Sequence, residues 1–163
     1  ILLAFRTALP LAVLLCLVVA TVFMRSLRYA AASIVPVMVV AAWLYGFMYA
    51  SGYAINVVTA TIGAISIGVG IDFSVHFTMR FREELPRAAG RLEALRTAGA
   101  GTGMALVGSA VSSAVGFAIL AFAPMPMFAT YGLLTAIMIV FALLSSLVVL
   151  PCLLMAVTPK AQP

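Results

Sequence analysis

Long apolar runs separated by short polar links make up the chain. Five such runs lie at about 9–24, 30–50, 54–79, 102–123 and 127–149. A helix of about 20 apolar residues crosses a hydrocarbon core of roughly 30 Å, so each run reads as a membrane span, the first on the short side. Pro10 falls in the first turn of the first run, where its missing N–H does no harm. Pro36 is expected to kink the second run near its start. Tyr45, Tyr49 and Tyr53 gather toward the far end of that run, with Trp43 a little deeper, as in an interfacial aromatic belt. Between the third and fourth runs, Leu85, Ala88, Leu92 and Leu95 recur every three or four residues among charges. That spacing predicts a short amphipathic helix at about 82–98 on the membrane surface, although Pro86 and Gly90 interrupt it. The fifth run ends near Pro151. The pattern predicts an all-α integral membrane protein, a five-helix transmembrane bundle with one amphipathic cytoplasmic helix.

Composition agrees. Of the 163 residues 66% are hydrophobic and 8% charged, with a mean hydropathy of +1.27. Too little polar surface remains for a soluble domain. The placement of charge says more than the net +5. Arg25 and Arg28 share one link, Arg80, Arg82, Arg87, Arg91 and Arg96 another, and Lys160 lies near the end. The positive-inside rule puts these on the cytoplasmic side and the two uncharged turns opposite, with the N-terminus extracytoplasmic and the C-terminus cytoplasmic. Arg6 is the exception. An outside start with no signal to carry it there leads us to expect a preceding segment. The clusters mark topology, so no nucleic acid partner is expected. Cys16 and Cys152, both in apolar runs, read as small hydrophobes.

One stretch breaks the apolar pattern with chemistry. The third run holds Asp72, and His76 follows four residues later. An acid at mid-membrane costs roughly 2.5–3.5 kcal/mol on insertion scales, so such groups face a bundle interior and serve a function. On a helical wheel Thr61, Ile65, Gly68, Asp72, His76 and Met79 share one face, while Gly63, Gly70 and Ser74 fall opposite. The small residues allow a neighbour to approach closely. The third span is therefore expected at the centre, with neighbours on both faces and the acid kept dry between them. Desolvation holds a carboxyl toward its neutral form, ready to take a proton from one side and release it to the other. His76 could relay that proton, or sit neutral near the interface. Thr102, Ser109, Ser113 and Gly116 recur at helical spacing on the fourth span, a small hydroxyl-bearing face suited to packing against the Asp72 helix. A lone histidine excludes a bis-His haem within this chain, and no spacing suggests a metal site. Nothing resembles a hydrolytic, phosphate-binding or redox centre. Neither an enzyme activity nor a cofactor is expected.

Gly68-Val69-Gly70-Ile71-Asp72-Phe73-Ser74-Val75-His76-Phe77 resembles the fourth-helix signature of resistance–nodulation–division (RND) exporters. It is most similar to the hydrophobe/amphiphile exporters and MmpL-type (MMPL) lipid transporters, relatives of sterol-sensing domains. Arg80-Phe81-Arg82-Glu83-Glu84, Glu93-Ala94-Leu95, Gly116-Phe117 and Pro151 look like the same branch. The resemblance implies helices two to six, or eight to twelve, of a twelve-helix protein with a preceding extracytoplasmic porter domain. It maps the family's proton-coupling aspartate onto Asp72 and its neighbouring aromatic onto Phe73, which lacks the hydroxyl of the common tyrosine. The function it implies is export of hydrophobic, amphiphilic or lipid-like substrates driven by the proton-motive force. Its implied partners are membrane lipids, the substrate and the other half of the transporter, with homo-oligomers possible. The alternative is a sterol- or lipid-sensing module without transport.

Overall fold

A computed structural model describes residues 2–54 and 56–159. Its elements are α1 (Leu2–Met24), α2 (Leu27–Ala50), α3 (Val57–Glu84), α4 (Arg91–Ala98), α5 (Met104–Ile119), α6 (Pro126–Leu144) and α7 (Leu150–Val157). No strand occurs among the described residues. Lys160 lies outside them, as do the side chains of Arg6 and its neighbours.

The seven helices form five rods. A wide π turn, Gly99–Gly103, joins α4 to α5, and a second, Ser145–Val149, joins α6 to α7. Arg91–Phe122 and Pro126–Val157 are thus continuous rods of 32 residues each. With Leu27–Ala50 and α3 they supply four helices long and apolar enough to cross a membrane. The described part of α1, Pro10–Met24, is a shorter apolar helix. The result is a helical membrane bundle, as the pattern predicts.

Two boundaries differ from expectation. The amphipathic segment does not lie apart on the surface. α3 continues to Glu84, the chain turns, and α4 then stacks end-on beneath α5, with Ala94 and Ala98 fully buried in the core. Of its expected apolar face Leu85, Ala88 and Leu95 pack on the core, while Leu92 is exposed. The last rod also runs past Pro151 to Val157. Proline has no N–H to give to the preceding turn, and here that turn is already opened to the π form. α2 continues through Pro36, whose carbonyl accepts a hydrogen bond from Ser145 Oγ at 3.0 Å.

α3 is the hub, packed chiefly against α2 and α6. Ile62, Phe73, Phe77 and Phe81 on α3 meet Leu44 and Met48 of α2, Leu134, Met138 and Ile139 of α6, and Leu150 and Leu154 of α7. In lipid this face gains little from hydrophobicity, so close packing and interhelical hydrogen bonds hold it. The expected small face does both. Gly70 is buried with Val37 Cγ2 3.6 Å from where its Cβ would stand. Beside it the buried hydroxyls pair across helices: Ser74 with Ser146 at 3.3 Å, and Thr78 with Ser33 at 2.9 Å.

A tighter crossing lies at the opposite end. A Cβ on Gly132 of α6 would stand 2.4 Å from Leu120 Cβ and 2.5 Å from Phe117 O. Only a residue without a side chain lets α6 pass the end of the fourth rod. The exposed Tyr49 and Phe122 lie toward this end, in keeping with an aromatic belt.

At the basic end two arginines cap helices. Arg82 donates to Met24 O at the end of α1, and its guanidinium lies 4.9 Å over the Tyr29 ring. Arg91 donates to Met155 O and Thr158 O, both at 2.9 Å, at the end of α7. The last carbonyls of a helix lack intrahelical partners and carry partial negative charge. Two of the residues read as topology signals therefore also fasten the bundle's end.

Candidate functional site

Asp72 stands sixteenth in the 28-residue α3, about 18 Å along the axis from Glu84 and about 22 Å from Val57. Its position follows from the run of Ile, Gly and Val residues on either side, which keeps the helix unbroken and apolar around one acid.

The structure corrects the expectation that the acid is covered on all sides. Asp72 and His76 are both exposed within this chain. They belong to a stripe, Thr61, Ala64, Gly68, Asp72 and His76, all exposed among the described residues. The stripe holds no large apolar side chain. Ile65 and Val69 of α3 pack on the core, while Ile71, Val75 and Met79 line the clefts beside the stripe. Elsewhere the exposed surface of the bundle is the one lipid requires: Leu11, Leu14, Leu15, Val18 and Val22 on α1, and Val111, Val115 and Ile119 on α5.

Two adjoining clefts run along the stripe. One, of about 290 Å³, holds Asp72 and His76 against Cys16, Ala20 and Phe23 of α1. The other, of about 550 Å³, continues past His76 and Met79 to Arg80 and Glu83, with Thr102, Ala105 and Ser109 on its far wall. Phe23, Val75 and His76 line both. The stripe from Asp72 to Glu83 covers about 16 Å of helix. At its basic end Arg80 is paired with Glu84 at 2.8 Å and Glu83 at 3.2 Å. Among the described residues neither Asp72 nor His76 has an ion-pair or hydrogen-bond partner.

The other expected site residues divide. Thr102 and Ser109 share the larger cleft with His76. Ser113 is exposed and lines neither cleft, and Gly116 is exposed with it. The expected packing of that hydroxyl face on α3 is therefore not formed. α5 lies chiefly against α6, and beyond Ser109 its serines, Ser112 and Ser113, face outward. Gly68 sits on the open stripe with nothing within 4 Å of its would-be Cβ. Phe73 is buried at 7% exposure in the core, away from the clefts. The sequence reading missed α1's share of the site. Cys16, Ala20 and Phe23 give the only sequence signal, recurring every three or four residues in a run read solely as a span.

Chemically, the clefts offer a carboxylate, an imidazole one turn along and hydroxyls opposite. Such groups can bind and pass protons through water. Among the described residues no group of three potential metal ligands occurs.

This combination defines a multi-pass helical membrane domain with an ionisable pair within one span. Residues 4–163 match the profile of the MMPL family, and the chain belongs to that family. It is 30% identical over 138 residues to MJ1562 of Methanocaldococcus jannaschii, a match covering 85% of this chain and 36% of that protein. It is also 33% identical over 105 residues to ActII-3 of Streptomyces coelicolor, covering 64% of this chain and 15% of that protein. Both relatives are named as membrane proteins. The chain thus spans about a third or less of the length of the curated relatives it matches.

Proposed function

We propose that this domain couples proton movement to the export of hydrophobic, amphiphilic or lipid-like molecules, with Asp72 as the group that gains and loses the proton. Family membership supports a transporter-like or lipid-sensing membrane module. The observation that carries the transport reading is the polar stripe. An acid far from both ends of a spanning helix, exposed beside an imidazole on a stripe with Thr61, Ala64 and Gly68, is unsuited to lipid. Such a face needs water or a second set of helices over it. The other half of the transporter is the partner this reading requires. His76 passes the proton toward the basic end, and Thr102 and Ser109 hold water along the way.

The driving force is adequate. One elementary charge crossing 100 mV yields about 2.3 kcal/mol. Each unit of pH difference adds about 1.4 kcal/mol. On this reading the arginine-bearing end is cytoplasmic, in line with the positive-inside rule.

The test is Asp72→Asn in the full-length protein, followed by efflux of a lipophilic dye with and without a proton uncoupler. Loss of the uncoupler-sensitive efflux at unchanged membrane insertion is expected. Efflux as fast as wild type, still abolished by the uncoupler, would refute the assignment. Lipid binding without any efflux, indifferent to the substitution, would favour the lipid-sensing reading.

A further inference from the structure

The bundle carries a second groove, on the face formed by α2 and α7. It has a volume of about 510 Å³ and is lined by Arg28, Ala31, Ala32, Val35, Leu153 and Val157. It shares no residue with the clefts at Asp72. Arg28 stands at the basic end and Val35 seven residues deeper, about 10 Å down the helix. A cation at the mouth and an apolar trough below match the two parts of a lipid.

Among the described residues no acid compensates the charge at the mouth. Arg25 and Arg28 are exposed, and among the described residues neither has an ion-pair or hydrogen-bond partner. The acids at this end are engaged elsewhere. Glu83 and Glu84 pair with Arg80, Glu84 also approaches Arg87 at 3.7 Å, and Glu93 accepts the Ala89 N–H at 2.8 Å. The other arginines nearby differ in kind: Arg82 and Arg91 are spent on helix ends. The trough itself comes from sequence. Ala31 and Ala32 leave room where larger side chains would fill the space between α2 and α7. Basic pockets between spanning helices are suited to anionic headgroups, and each arginine near the surface contributes about 1 kcal/mol.

We infer that this groove binds one anionic phospholipid from the leaflet at the arginine-bearing end. Its phosphate lies on Arg28, with Arg25 adding to the field, and an acyl chain runs past Ala31 toward Val35 and Leu153. A zwitterionic lipid fits the trough but gains less from the cations. Free phosphate meets the cation but has nothing to place in the trough.

Native mass spectrometry of the full-length protein in detergent, with dioleoylphosphatidylglycerol or dioleoylphosphatidylcholine added, tests this. One bound phosphatidylglycerol, favoured over phosphatidylcholine, is expected. Arg28→Gln should cut that preference about fivefold, the factor given by roughly 1 kcal/mol per arginine. Ala31→Leu should weaken both lipids by filling the trough. Arg96→Gln, an exposed arginine of the same end that does not line the groove, should change neither. A phosphatidylglycerol with a diazirine on its acyl chain should crosslink to wild-type protein within 28–35 or 150–157. Equal losses from Arg28→Gln and Arg96→Gln, displacement by millimolar inorganic phosphate, or crosslinks confined elsewhere would overturn the assignment. The crosslink is made on unsubstituted protein, so it stands even if a variant fails to fold.

Discussion

Replacing Gly132 by alanine adds one methyl at the place where α6 meets the end of the fourth rod. That carbon would stand 2.4 Å from Leu120 Cβ, whereas ordinary contact begins at 3.4 Å, a shortfall of about 1 Å. The opposing atoms are Leu120 Cβ, Phe117 O and Leu120 C, all on or next to backbone. No rotamer change relieves the clash, so the two rods must part. A gap of 0.5–1 Å forfeits a quarter to a half of each dispersion contact it opens. Overpacking of a tight site typically costs about 1–3 kcal/mol. Alanine's better helix propensity returns up to about 1 kcal/mol. The net expectation is a loss of about 1–2 kcal/mol, or about 5- to 30-fold in the unfolding equilibrium. Gly108→Ala and Gly116→Ala are the matched controls, since neither has anything within 4 Å of its would-be Cβ. They should be neutral or slightly stabilising. Reversible unfolding in mixed detergent micelles, followed by circular dichroism, measures all three. Gly132→Ala as stable as wild type, or the controls equally damaged, would show that the crossing is looser than described.

Three further outcomes are expected. Ser74→Ala and Ser146→Ala, combined in a double-mutant cycle, should show a coupling of about 0.6 kcal/mol, the usual size for interhelical hydrogen bonds in membranes. Arg91→Met removes two donations to the end of α7 and should speed amide hydrogen exchange at 154–158 severalfold, leaving α2 unchanged. Arg25→Gly should be neutral or stabilising by up to about 1 kcal/mol in the same unfolding assay. Arg25 adopts φ 48°, a left-handed conformation that disfavours residues with a Cβ.

Much of this architecture could be read without coordinates because lipid imposes strong rules on composition. Apolar runs of spanning length leave few folds open, and a single acid within one of them marks the helix that matters. The wheel placed Asp72, Gly68 and His76 on one face, and Gly70 and Ser74 on the other, as observed. What covers each face was not legible. Helical spacing tells which residues point together but not which neighbour they meet. The Ser109–Ser113 face was therefore assigned to α3, although only Ser109 borders the cleft beside that helix and Ser113 faces outward. The surface helix was misplaced for a similar reason. Its apolar spacing fits a bilayer surface or a protein core equally well; Leu85, Ala88 and Leu95 meet the core, and Leu92 stays exposed. The capping roles of Arg82 and Arg91 depend on helix ends more than fifty residues away.

The two π turns touch. A Cβ on Gly103 would stand 3.7 Å from Leu147 Cδ2. Each wide turn holds one residue more than the ordinary ladder needs. Each of the two rods therefore departs from the regular ladder where it meets the other, next to the end of the bundle that Arg91 ties together.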